Sequence, residues 1–135
     1  MKGDYKLALE FHKKAIDLFE SNDYMESYAL EYANMANAYL NLKKFKEAFD
    51  IYQDVLTNHN ELIAEHTQYS CLRGTAICSH QLEDWNTAQK HYTIVLDIAT
   101  AKRPINEIEF LKSCLLKVNQ KQKLDALQFG KSTVE

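Results

Sequence analysis

The sequence predicts an all-α chain built as an array of antiparallel helix pairs, about six or seven helices in all. Three observations predict it. Helix breakers are scarce, since one proline and three glycines in 135 residues leave little material for the tight turns of β-hairpins. Apolar residues recur at steps of three and four along most of the chain, the period of one helix face. The pattern itself also repeats: Ala8, Ala48 and Ala88 stand forty residues apart, and Tyr52 and Tyr92 follow the last two at the same offset. A recurrence of that length marks stacked units, each too small to bury its apolar face alone.

Taken in order, residues 5–20 carry Leu7, Ala8, Phe11, Ala15, Leu18 and Phe19 on one stripe, opposite Lys6, Glu10, Lys13, Lys14 and Asp17. Asp23 with Glu26 three residues on has the form of an N-cap and its reciprocal carboxylate, which starts a second helix running to about Asn41. A turn near 42–44 follows, with Lys43 and Lys44 placed to favour the helix's negative end. Phe45 opens the return helix to about Thr57. Asn58-His59-Asn60 is the next break. Residues 61–81 continue the helical period, and Trp85, Ala88, Tyr92 and Val95 then match Phe45, Ala48, Tyr52 and Val55 position for position. Pro104 ends the fifth helix and suits the first turn of a sixth, about Ile105 to Lys121, with Ile108, Leu111, Leu115 and Val118 on one face. The apolar segment Leu124 to Phe129 stops at Gly130. The chain thus divides into a helix at 5–20, repeats at 24–57 and 61–101, and a partial repeat at 104–130, all one domain (1–130), with 131–135 expected to be a disordered tail.

The run Tyr32, Met35, Ala36, Tyr39 and then Phe45, Ala48, Tyr52, Val55 resembles a tetratricopeptide (TPR) repeat. TPR units usually repeat at 34 residues, so these are longer by six. A forty-residue period also fits HEAT-type repeats, but the alanine-to-aromatic step at 48/52 and 88/92 favours TPR. The resemblance implies a right-handed superhelix whose first helices line a concave side open to an extended peptide or partner helix. Gly3-Asp4-Tyr5, then Ala8, His12 and Ala15, resembles the second helix of such a unit. Its first helix is not in the sequence, and from this we expect either a fragment of a longer protein or a homodimer through exposed terminal helices.

Composition excludes several classes. At this length the chain buries roughly two-thirds of its unfolded surface. No apolar run approaches the ~20 residues of a membrane span, and no signal-peptide core opens the chain, so a cytoplasmic location is expected. The net charge of −3 divides into −6 over residues 1–101 and +3 over 102–135, too weak for a nucleic-acid footprint. Three glycines provide no phosphate-cradling loop, and no cofactor is expected. His12, His59, His66, His80 and His91 never stand three or four apart, so no helix offers paired imidazoles to a metal. Cys71 and Cys78, seven apart on a helix, lie about 10 Å apart along its axis, beyond the ~7 Å reach of a disulfide. Cys71, Cys78 and Cys114 read as buried thiols. A nucleophile at Cys78 assisted by His66 or His80 is the enzymatic alternative, and no enzyme is the expectation.

The remaining candidate is a binding surface. Asn34, Asn37 and Asn41 recur at steps of three and four and share a face apart from the Ala36/Tyr39 stripe. An asparagine carboxamide offers the groups of a peptide bond and can hold a ligand's main chain whatever its side chains. As ordinary exposed helix residues they would need no such role. Arg73, with Ser70 and Ile77 beside it and Lys117 one repeat further, is placed to face the same channel, where a guanidinium grips a carboxylate bidentately. The tyrosines at 28, 32, 39, 52, 69 and 92 read mainly as core packing.

Long repeats and concave asparagines over residues 5 to about 121 resemble the TPR portion of Gram-positive peptide-sensing regulators of the Rap, NprR and PlcR type. That resemblance implies a signalling peptide in the groove and an effector module, transcriptional or phosphatase-like, outside this sequence. Chaperone-adaptor TPR proteins hold a C-terminal carboxylate with Lys, Asn and Arg side chains. Asn37 matches one member of that set, whereas Ala33 and Gly74 stand where basic residues would be. The rival reading is a plain assembly scaffold.

Overall fold

A computed structural model describes residues 2–21 and 25–124, with side chains described for 5–18 and 25–124. Among these residues the chain is helical without a strand. The helices are α1 (Lys2–Ser21), α2 (Met25–Asn41), α3 (Phe45–Asn58), α4 (Glu65–Gln81), α5 (Trp85–Lys102) and α6 (Ile105–Asn119), with a single 3-10 turn at Asn60–Leu62. Each helix packs on the next in chain order, and α2 also touches α4. The expected cap at Asp23 and most of the apolar segment after Leu124, with the 131–135 tail, lie outside the described residues.

One boundary differs from the sequence reading. The period through 61–81 predicts continuous helix, yet α4 begins at Glu65 after the 3-10 turn. Ile63 and Ala64 are extended between them, at φ −113°, ψ 149° and φ −71°, ψ 161°. Ile63 is buried while Leu62 is exposed, so burial of Ile63 fixes the approach to α4 and overrides the local period.

The core carries the repeat. Ala48, Tyr52 and Val55 on α3 are fully buried, and so are Ala88, Tyr92 and Val95 on α5. Facing them, Ala36 on α2 and Ala76 on α4, also forty apart, are fully buried. Aromatic rings against alanine notches bury large area without forcing rotamers. Tyr52 lies over Gly74, where an added Cβ would come within 2.3 Å of its ring. At the equivalent place on α6 stands Cys114, and the Tyr92 hydroxyl turns to His80 Nδ1 at 3.0 Å.

The turns repeat as well. Lys43 (φ 63°), Glu83 (φ 64°) and Lys121 (φ 54°) are left-handed residues just past α2, α4 and α6. The residue after each donates back to a carbonyl five positions earlier: Lys44 to Tyr39 at 2.9 Å, Asp84 to Ser79 at 2.8 Å, Gln122 to Lys117 at 2.8 Å. These are Schellman closures made without glycine, at a cost of about 1 kcal/mol each.

The last of these turns is strapped to α4. His80 is fully buried, and its Nε2 donates to the Gln122 carbonyl at 2.6 Å, which leaves Nδ1 to accept from the Tyr92 hydroxyl. Beside it the Gln81 Oε1 accepts from the Leu124 backbone N–H at 2.9 Å. Burial lowers the His80 pKa, the Gln122 carbonyl opposes this, and the Lys117 charge adds to the lowering. A base with a depressed folded value stabilises the fold above its unfolded value, about 6.5, and that contribution is lost as pH falls through the folded value. Urea midpoints are therefore expected to fall as pH drops from 7.5 to 5, with a visibly flatter slope in His80→Gln.

Candidate functional site

The asparagines do not form an open row. Asn37 is half-buried, and its Oδ1 accepts from the Tyr52 hydroxyl at 2.5 Å and from Ser70 Oγ at 3.4 Å, so it ties α2 to α3 and α4. Asn41 turns its Nδ2 onto the Asn37 carbonyl of its own helix at 2.8 Å. Asn34 is half-buried and makes no side-chain hydrogen bond with a described residue. Its counterparts Gly74 and Cys114, one and two repeats on, are buried, which puts this position on the packing side. Ile77 is fully buried and belongs to the core, correcting its placement beside a ligand. Lys117 sits in the last turn of α6, ten residues or about 15 Å along the axis from Glu107 in the first, and does not line the groove that Ser70 and Arg73 share.

That groove, about 360 Å³, lies between α4 and the start of α6 and is lined by His66, Tyr69, Ser70, Arg73, Arg103, Pro104 and Glu107. Its centre is a network. Arg73 donates from Nε to Glu107 Oε2 at 2.7 Å and from a terminal nitrogen to Oε1 at 3.1 Å, and the Tyr69 hydroxyl donates to Oε2 at 2.5 Å. The carboxylate expected from a ligand at Arg73 is thus supplied by the chain itself. Burial opposes charge on Glu107, but the Arg73 bonds and charge, the Tyr69 hydroxyl and Arg103 outweigh it and hold the carboxyl below its ordinary range. Burial and the Glu107 bond push the Tyr69 hydroxyl up. The Arg73 guanidinium also lies 5.1 Å from the Phe110 ring centre.

Arg103 stacks on Tyr69 from the α5–α6 connection, 3.9 Å from the ring centre. Two neighbouring depressions extend the groove. One of about 440 Å³ lies beyond the Arg103–Tyr69 stack, among Glu65, Leu72, Ile98 and Lys102. The other, about 330 Å³, lies between α2 and α4 and includes Glu26, Leu30, Ile63, Ala64 and Thr67. His66, exposed, borders all three.

The thiols do not fit a nucleophile. Cys71, Cys78 and Cys114 are fully buried, and burial pushes Cys71 and Cys114 up to about 12 and Cys78 further, opposite to the lowered value a reactive thiolate needs. Among the described residues no three His, Cys, Asp or Glu side chains gather to hold a metal ion, and no helix is long and apolar enough to cross a membrane.

Arg103 and Glu107 were not singled out in the sequence, where His66 entered only as a base for Cys78 and Tyr69 only as core packing. The forty-residue register carried a signal: Ala33, Ile63 and Thr67 become Arg73, Arg103 and Glu107 one repeat on. Compared with protein-family models, curated proteins and solved structures, the chain matches none.

Proposed function

We propose that this chain is a TPR-type module that binds a peptide along the face where α2, α4 and α6 succeed one another. The observation that carries the reading is a line of polar contacts across those three helices, Asn37 to Ser70 and Arg73 to Glu107, bordered by two grooves in the same repeat register. The contact of α2 with α4 and the recurring turn after α2, α4 and α6 support stacking of like pairs into a solenoid. In this reading α2, α4 and α6 are the first helices of successive units. The likeness to peptide-sensing regulators then makes the module a sensor, with its effector in a partner or in sequence outside this chain.

A random peptide library displayed on phage tests this. Selected peptides are expected to bind the wild-type chain and to lose at least about tenfold in affinity against Ser70→Trp, which fills the groove at the cost of the 3.4 Å bond from Ser70 to Asn37 and keeps the Arg73–Glu107–Tyr69 residues unchanged. Failure to select any peptide, or equal binding by Ser70→Trp, would overturn the reading.

One observation favours assembly as a second reading. Leu7, Phe11 and Leu18 on α1 are 53%, 62% and 60% exposed, at spacings that place them along one side of the helix. Under that reading sedimentation gives a concentration-dependent dimer that Phe11→Glu dissociates.

A further inference from the structure

The internal repeat lets one helix junction serve as a control for the other. Between α2 and α4 the groove is lined by Glu26, Leu30, Ile63, Ala64 and Thr67. Forty residues on, His66, Ser70, Arg103, Pro104 and Glu107 line its counterpart between α4 and α6, and Ala29 and Ala33 are replaced by Tyr69 and Arg73. Where the second junction has Tyr69, Arg73, Arg103 and Glu107 the first has Ala29, Ala33, Ile63 and Thr67, so helix stacking does not require charges at those positions.

Nor do those charges cancel. Two guanidinium groups share the groove with one carboxylate, and the Glu107 oxygens already take Arg73 twice and Tyr69 once. In the adjoining depression Glu65 is engaged by Lys102 at 3.4 Å. Arg103 makes no side-chain hydrogen bond or ion pair with any described residue. It is nevertheless held in place: its N–H donates to the Ala99 carbonyl at 2.8 Å, Pro104 keeps it extended at φ −113°, ψ 158°, and its plane rests on Tyr69. Stacking leaves the in-plane N–H fork unused. A preordered, unspent fork at the edge of a groove suits a planar anion.

We infer that Arg103, with His66 lining the same groove, forms a subsite for a carboxylate of the bound peptide, either its C-terminus or an Asp or Glu side chain. This rests on the peptide-binding reading. The positive charge left over in the groove draws the ligand's carboxylate to Arg103, while Ser70, on the same groove, faces the main chain.

Titration of the full chain, followed by 1H–15N NMR including the arginine Nε–H signals, tests it with three probes. These are acetyl-Ala-Ala-Ala with a free C-terminus, acetyl-Ala-Glu-Ala amide, and acetyl-Ala-Ala-Ala amide. One or both carboxylate probes are expected to shift the Arg103 Nε–H and the Tyr69 and Arg73 amides saturably, and the neutral probe to leave them unmoved. Which of the two acts separates a terminal carboxylate from a side chain. Arg103→Gln is expected to weaken binding about tenfold or more, and Arg103→Lys, which keeps the charge but not the fork, by less. Equal shifts from all three probes, no shift from either carboxylate, or unchanged binding in Arg103→Gln would overturn the inference. A library that yields neutral peptides insensitive to Arg103→Gln removes the subsite and leaves the groove. Saturable carboxylate shifts without any library binder leave the subsite and remove the longer peptide.

Discussion

Glu107→Thr is expected to destabilise the protein by about 3 kcal/mol, while the double change Arg73→Ala/Glu107→Thr recovers more than half of that loss. The single change removes the carboxylate that holds a guanidinium whose side chain is 14% exposed, and removing one partner of a buried pair costs roughly 3–5 kcal/mol because the remaining charge loses its counter-ion. Residual exposure of Arg73 and its place against Phe110 bring the figure to the lower end. The double change reproduces Ala33 and Thr67, which the first junction already uses. Urea unfolding of the four chains in the cycle gives the coupling directly. A double variant as unstable as the single one would mean that the network is structural, and the argument that charge here is surplus to packing would fail. The pH profile supplies an independent check. The carboxyl is held below its ordinary value of 4.5, so its contribution is complete above that value and disappears as pH falls through the lower folded value. Wild type is expected to lose stability in that acid range, and Arg73→Ala/Glu107→Thr to lose less.

Gly74→Ala is expected to cost about 2 kcal/mol, although alanine is the better helix former. The propensity gain is at most about 1 kcal/mol. Against it, the new methyl would sit 2.3 Å and 2.4 Å from two carbons of the Tyr52 ring and 2.7 Å from its hydroxyl oxygen. That ring is fully buried and its hydroxyl is bonded to Asn37, so it has nowhere to swing, and overpacking of this kind costs about 1–3 kcal/mol in addition to the strained bond. A thermal midpoint lower by roughly 8 °C is the corresponding readout. Tyr52→Leu/Gly74→Ala should be more stable than the sum of its parts, because the smaller side chain leaves room for the methyl. At Tyr92 the side-chain-bearing Cys114 stands where the glycine would be, and the hydroxyl meets both its thiol and His80 Nδ1.

Ala48, Tyr52, Ala88 and Tyr92 were legible as core in the sequence because they recur on one helix face at a fixed period, and all four are fully buried. Helix ends were less so. Lys43, Glu83 and Lys121 take left-handed turns that sequence rules assign to glycine or asparagine, and the chain holds them through the backbone bonds that close each turn. The extended pair Ile63-Ala64 is set by burial against other helices, which a local period does not register. For the groove, the spacing of Asn34, Asn37 and Asn41 correctly puts them near one another on α2, yet spacing cannot say what faces them. Asn37 meets Tyr52 and Ser70, and Arg73 meets a carboxylate 34 residues away. Those pairings depend on how the helices stack. The clue to Arg103 lay in comparing the repeats for what changed between them, because what they share reports packing.

In the proposed module α2, α4 and α6 present a common binding face. A backbone amide NMR map of the chain with a library-selected peptide tests it most directly. The predicted result is shifts concentrated on the N-terminal halves of α2 and α4, on His66 and Ser70, and from Arg103 to Glu107. Shifts confined to α3 and α5, or to the exposed side of α1, would contradict it.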